Sequence, residues 1–157
     1  MCLQQERNNN MKQDCVLCRE DGGRIVWQGR QWRLVHADEA ANAPFPAFYR
    51  LIWNRHVAEW SDLSVSERQQ GMEAVTLVEQ LLREHLRPTK INLATLGNVV
   101  PHLHWHVIAR FDWDSHFPGP VWGGVQRPSP GARVAAVRAQ LSALEQALAA
   151  RLQQQFA

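Results

Sequence analysis

Cysteine is scarce in this chain, with three among 157 residues, at positions 2, 15 and 18. So few, and an odd number, argue against a disulfide framework. Long apolar runs are absent too. None approaches the ~18–20 uncharged residues that span a bilayer, so no membrane helix and no membrane partner is expected. The N-terminal stretch MCLQQERNNNMKQD is polar. Without an apolar segment it does not read as a signal peptide, and the expected compartment is the cytoplasm. Excess charge is missing as well: 17 basic and 15 acidic residues leave +2. No Lys/Arg block stands out, so no specific nucleic-acid partner is expected. Neither Gly22-Gly23 nor Gly123-Gly124 is followed by Lys-Ser/Thr, which excludes a P-loop. Asp112-x-Asp114-x-His116 lacks the Gly and terminal Glu of a calcium loop.

What is present suits one globular domain: 45% hydrophobic and 20% charged residues. Residues 1–13 read as a flexible tail and 14–157 as the domain. Residues 15–23 read as a turn closed by Asp21-Gly22-Gly23. Alternating or β-branched segments predict strands over 24–27, 31–36, 48–53, 90–96 and 102–109. Ser64-Val65-Ser66-Glu67 is a capping box, followed by Met72, Val75, Val78, Leu81, Leu82 and Leu86 at helical spacing, with Pro88 as the stop. A closing helix over about 131–155 carries Val134, Val137, Leu141, Leu144, Leu148 and Leu152 on one stripe. This order gives the α+β class: an antiparallel sheet of about five strands, one long helix packed on it, and a C-terminal helix.

Seven tryptophans and seven histidines are the compositional oddity. Three histidines fall in Pro101-His102-Leu103-His104-Trp105-His106-Val107-Ile108. On a strand, residues two apart share a face. The reading therefore places His102, His104 and His106 in one row and the apolar residues in the other. A row of imidazoles is costly to bury without partners. Three chemistries remain open: satisfied structural histidines, a metal site of the His-x-His kind, and nucleophilic attack by imidazole on phosphorus. The other oddity, Cys15-x-x-Cys18, is a weak signal alone and reads as two small buried side chains. The strand-then-helix context of a thioredoxin-like redox motif is missing.

His102-Leu103-His104-Trp105-His106-Val107-Ile108 resembles the His-φ-His-φ-His-φ-φ signature of the histidine triad superfamily, where φ is apolar. The resemblance extends to Pro46-Ala47-Phe48-Tyr49-Arg50-Leu51-Ile52-Trp53-Asn54-Arg55-His56, to the capped helix, and to Asn92 and Gly97-Asn98 before the triad. It implies a HIT-like fold and hydrolysis of a phosphoanhydride or phosphoramidate at a nucleotide's α-phosphate. The leading substrate class it implies is a dinucleoside polyphosphate. His104 would be the nucleophile, forming a nucleotidyl-histidine intermediate. His106 would bind the phosphate or leaving group and His102 would orient His104. Asn98 would stand for the family's glutamine. Asn92, Gly97 and Asp38 (or its neighbour Glu39, near the ribose hydroxyls) would touch substrate. The resemblance also implies a structural zinc held by Cys15, Cys18, His56 and His102, not needed for the chemistry, and a homodimer. A nucleotidyl transferase is the alternative enzyme, and a nucleotide-binding regulatory module with little turnover the alternative outside catalysis. Phe48 in place of a family histidine and Val99 in place of Ser/Thr motivate the latter. The 111–124 segment could shape a base or leaving-group pocket, or cover the core.

Overall fold

The computed structural model describes Lys12 and residues 14–157. Apart from Lys12, the expected 1–13 tail lies outside the described residues. The elements in chain order are α1 (Val16–Arg19), β1 (Arg24–Gln28), β2 (Trp32–His36), β3 (Phe48–Trp53), α2 (Val65–Leu86), β4 (Lys90–Ala94), β5 (His104–Arg110), α3 (Gly131–Arg138) and α4 (Leu141–Phe156). The five strands form one sheet in the order β1-β2-β3-β5-β4, and every neighbouring pair is antiparallel. The expected α+β class is therefore the observed one.

Strand alternation divides the chain between two faces. Tyr49, Leu51 and Trp53 of β3 join Val107 and Ala109 of β5 in the main core, with α2 and α4 laid over them. Helix α2 begins where the capping box predicts: Ser64 Oγ accepts from Glu67 N at 3.2 Å, and the Glu67 carboxylate accepts from Ser64 N at 2.7 Å. It ends at Arg87, in the left-handed region at φ 47°, ahead of Pro88. Met72 is exposed, and Ala74 and Leu77 join Val75, Val78, Leu81 and Leu82 inside instead. On α4, Leu144, Leu148 and Leu152 are fully buried. Each is worth about 1.5–3 kcal/mol of transfer free energy.

The opposite face carries two smaller clusters. Cys15 and Leu17 pack on Val35 and Ile52. Phe45 and Val121 pack on Phe48 and Ile108. Between them the sheet is open, and there the histidines lie.

Four expectations need correction. The 15–23 turn contains a one-turn helix, α1, too short to show periodicity. The 90–96 strand stops at Ala94. The closing helix is two helices with a junction at Ala139 and Gln140. Finally, β5 starts at His104, so His102 precedes the strand. The ladder ends there because the Leu103 N–H donates to Val57 O at 2.6 Å rather than to β3, although its carbonyl still accepts from Trp53 N at 3.1 Å.

Candidate active site

His104 and His106 leave β5 on the open face, opposite Ile52 and Arg50 of β3 respectively. Both are mostly buried, at 9% and 7% exposure. They line a cleft of about 490 Å³, within the range typical of small-molecule sites. The cleft's far wall is α1 with Gly22 and Gly23, and Glu39 and Val100 complete it.

His104 Nδ1–H donates to the backbone carbonyl of His102 at 2.6 Å. A carbonyl can only accept, so the proton sits on Nδ1 and the lone pair on Nε2. Burial pushes the His104 pKa below the ordinary imidazole value, and the Arg50 charge adds to this. The ring is therefore neutral at pH 7, with one nitrogen free as base or nucleophile. His106 is pushed down to about 3 by burial, helped by the nearby His104 and Arg50. Its Nδ1 is buried and has no hydrogen-bond partner among the described residues. Phe48 and Trp122 flank its ring edge-to-face, with centroids at 5.4 and 5.1 Å.

His102 is fully buried and faces the other way. Its Nε2–H donates to Trp53 O at 2.6 Å, which leaves Nδ1 unprotonated. That nitrogen lies 3.3 Å from Cys15 Sγ and 3.5 Å from Cys18 Sγ. His56 Nδ1 lies 3.4 Å from Cys18 Sγ. The four ligand atoms fall within 4.8 Å of one another. Two thiols and two imidazoles are a closed zinc donor set, and tetrahedral zinc separates sulfur and nitrogen ligands by about 3.6 Å. The carbonyl-locked tautomer of His102 is the one a ligating histidine needs. The donors present thus fit zinc. Among the described residues no other such group forms.

The remaining candidates are scattered. Asn98 is exposed and Val99 is 93% exposed, and neither lines the cleft. Gly97 makes the turn before them, at φ 71°. Asn92 shares the face of His106 through its pairing with Ile108, but its Oδ1 accepts from Arg110 Nη1 at 2.7 Å. Asp38 faces a separate depression beside α4, with His36 and Glu145, whereas Glu39 lines the histidine cleft. His116 is held by Ser115 and Phe45, outside the cleft. His85 is exposed in the last turn of α2, where a positive charge suits the helix dipole.

Sequence reasoning passed over Arg50. The signal was available: one charged residue in phase with Phe48 and Ile52 within an apolar strand. Trp122 lay in a segment recognised as aromatic, but nothing in the sequence aims one of its rings at His106.

Residues 32–113, just over half of the chain, match the family model described as the HIT domain. Among solved structures, a histidine triad protein from Bradyrhizobium japonicum is 27% identical, with TM-score 0.60 over 76% of this chain and 91% of its own. One from Marinobacter aquaeolei VT8 is 26% identical, with TM-score 0.62 over 82% and 93%. A zinc-bound histidine triad family protein from Mycobacterium smegmatis shares the fold at 19% identity and TM-score 0.52, over 85% and 97%. No curated protein matches the chain.

Proposed function

The chain belongs to the HIT domain family, and from that premise we propose that it is a nucleotide hydrolase acting at the α-phosphate through a nucleotidyl-His104 intermediate. The observation that carries this reading is the His104 tautomer: Nδ1–H is tied to a backbone carbonyl in a neutral ring that lines the cleft. Nε2 attacks the α-phosphorus, an N–P bond forms, and the bond from phosphorus to the leaving group breaks. The leaving group departs with the electron pair and takes a proton. Water then attacks phosphorus, the N–P bond breaks, and the mononucleotide leaves, so one water is consumed per turnover. The place of His106 beside His104 in the lining of the cleft supports a role for that ring in bonding the phosphate or leaving group. Of the two neighbouring acids, Glu39 rather than Asp38 lines the cleft and is available there to a ribose hydroxyl.

A dinucleoside polyphosphate is the leading substrate and a nucleoside phosphoramidate the next. A transferase would share the first half-reaction and differ in the acceptor. The exposure of Asn98 and Val99, away from the cleft, favours the binding-module alternative to the extent that leaving-group help is missing. Zinc on Cys15, Cys18, His56 and His102 is proposed as structural: a bound ion would anchor α1 and the turn ahead of β5. A homodimer is also proposed. Strand β4 is a sheet edge, and Leu93 on it is 38% exposed.

The test is mononucleotide release from diadenosine tetraphosphate and adenosine phosphoramidate by wild type and His104→Ala. Turnover should fall by about three orders of magnitude or more in the variant. Labelled nucleotide should be trapped on the wild type in acid-labile form. Nucleotide binding without turnover in the wild type would replace this reading with the binding module.

A further inference from the structure

We propose that Arg50 is a catalytic residue that grips the phosphate under attack, with Glu39 holding its guanidinium in place until substrate arrives. The proposal rests on the nucleotidyl-transfer reading above and names the group that takes the charge developing at phosphorus.

Arg50 sits mid-strand in β3, paired with His106, and His104 faces Ile52 two residues along. Directly paired antiparallel residues bring their Cβ atoms within about 4.5–5.5 Å. The Arg50 side chain therefore rises from the sheet beside the two imidazoles. Its neighbours on that face, Phe48 and Ile52, are essentially fully buried. A cation among them is costly unless it is paired.

The pairing is incomplete in an informative way. Nη1 donates to Gly22 O at 2.8 Å and to the Glu39 carboxylate. The guanidinium lies 5.6 Å from the centroid of the Phe48 ring, which limits its swing. A guanidinium has five N–H donors. Those on Nε and Nη2 make no hydrogen bond to any described residue. These two nitrogens form one edge of the planar fork, the edge that matches two oxygens of a phosphate.

Arg50 is also the only Lys or Arg side chain lining the cleft among the described residues. Attack by His104 moves negative charge onto the non-bridging phosphate oxygens, and a preorganised cation there stabilises the transition state more than the ground state. Glu39 is half-exposed, with 46% of its side chain accessible. It can neutralise Arg50 in the free protein and yield to a phosphate without opening the core.

The experiment compares wild type, Arg50→Gln, Arg50→Lys and His104→Ala on adenosine phosphoramidate, which has one phosphate, and on diadenosine tetraphosphate, which has four. Thermal melts confirm folding. The expected result is a loss of about 10²–10³ in kcat for Arg50→Gln, by a similar factor on both substrates and larger than any change in KM. Arg50→Lys should recover only a small part, because an ammonium is a point charge without the fork. In a further variant, Arg50→Ala, which leaves room for the ion, added guanidinium should restore part of the lost turnover, which a merely structural role would not allow. Arg50→Gln within threefold of wild type on both substrates would overturn the proposal. So would a loss confined to the tetraphosphate, which would place the guanidinium on outer phosphates. If His104→Ala keeps its turnover, the nucleotidyl-histidine reading falls, and the Arg50 proposal with it. An inactive His104→Ala beside an active Arg50→Gln would sink the Arg50 proposal alone.

Discussion

Replacing Asp114 by Asn should destabilise the fold by about 3–5 kcal/mol at neutral pH, because it breaks a buried ion pair from one side. Arg110 and Asp114 side chains are each 2% exposed. The carboxylate accepts from Arg110 Nε at 2.7 Å and Nη2 at 3.0 Å, and from the backbone N–H groups of Phe111, His116 and Phe117. Asparagine keeps one acceptor oxygen, removes the charge, and turns its NH₂ towards donors. Arg110 then retains only neutral acceptors: Asn92 Oδ1, Gly119 O and the one amide oxygen left at position 114. Against a typical total of about 5–15 kcal/mol this is a large share. With a urea dependence of about 2 kcal/mol/M, the midpoint should drop by roughly 1.5–2.5 M. The pH dependence gives a second check. Burial alone would push the Asp114 pKa up, but the hydrogen bonds and charge of Arg110, with the backbone N–H groups, outweigh it and hold it below 3.8. A depressed carboxyl contributes stability that is fully present above its unfolded pKa and lost as pH falls through the folded one. The gap between wild type and variant should be widest at neutral pH and narrow on acidification below about 3.8. A gap under about 1 kcal/mol at pH 7, or one that persists into acid, would refute the assignment. The same loop sets Trp122 against His106, so turnover should fall with stability.

Leu148→Ala should cost about 2–5 kcal/mol in urea unfolding, since its fully buried side chain fills the α4 seam. Ser64→Ala removes the acceptor for Glu67 N and should cost about 1 kcal/mol, lowering Tm by about 2–4 °C. Gly22→Ala would set a Cβ 2.6 Å from Leu17 Cδ2 and 2.8 Å from Ile52 Cδ1, at a φ of +78°. It should destabilise by about 1–3 kcal/mol and displace the carbonyl that holds Arg50, read as a lower Tm together with a lower kcat. Cys18→Ser should lower the metal content found by elemental analysis of the purified protein and lower Tm, because it deletes one of four clustered donors.

Much of the fold was legible because its signals are local. β3 runs over the residues its aromatic and branched types indicate, and the Ser64/Glu67 box marks where α2 begins. The junction near Ala139 was invisible because no Gly or Pro marks it. The apolar stripe runs straight through, and both flanking residues keep helical dihedrals. Alternation alone predicts His102 as the first member of a strand row. Its place depends on groups remote in sequence: the Cys15 and Cys18 sulfurs and the Trp53 carbonyl. Choosing between Asp38 and Glu39 required the path of an irregular loop, where no period tells neighbours apart. Arg50 escaped because its meaning depends on what stands opposite it, and register is a property of two strands.

His102 joins the two halves of the open face: its ring belongs to the cysteine cluster, while its carbonyl receives the proton of His104. Sensitivity to a chelator would then be ambiguous evidence about the reaction. Stripping an ion from that corner would free the His102 ring, let its backbone drift, and release His104 to the other tautomer, silencing a reaction in which no metal takes part. Kinetics can separate the two cases. A reagent metal is missed as soon as it is gone, whereas a mislaid support shows itself as activity decaying at the pace of local unfolding, and returning, when metal is restored, at the pace of refolding.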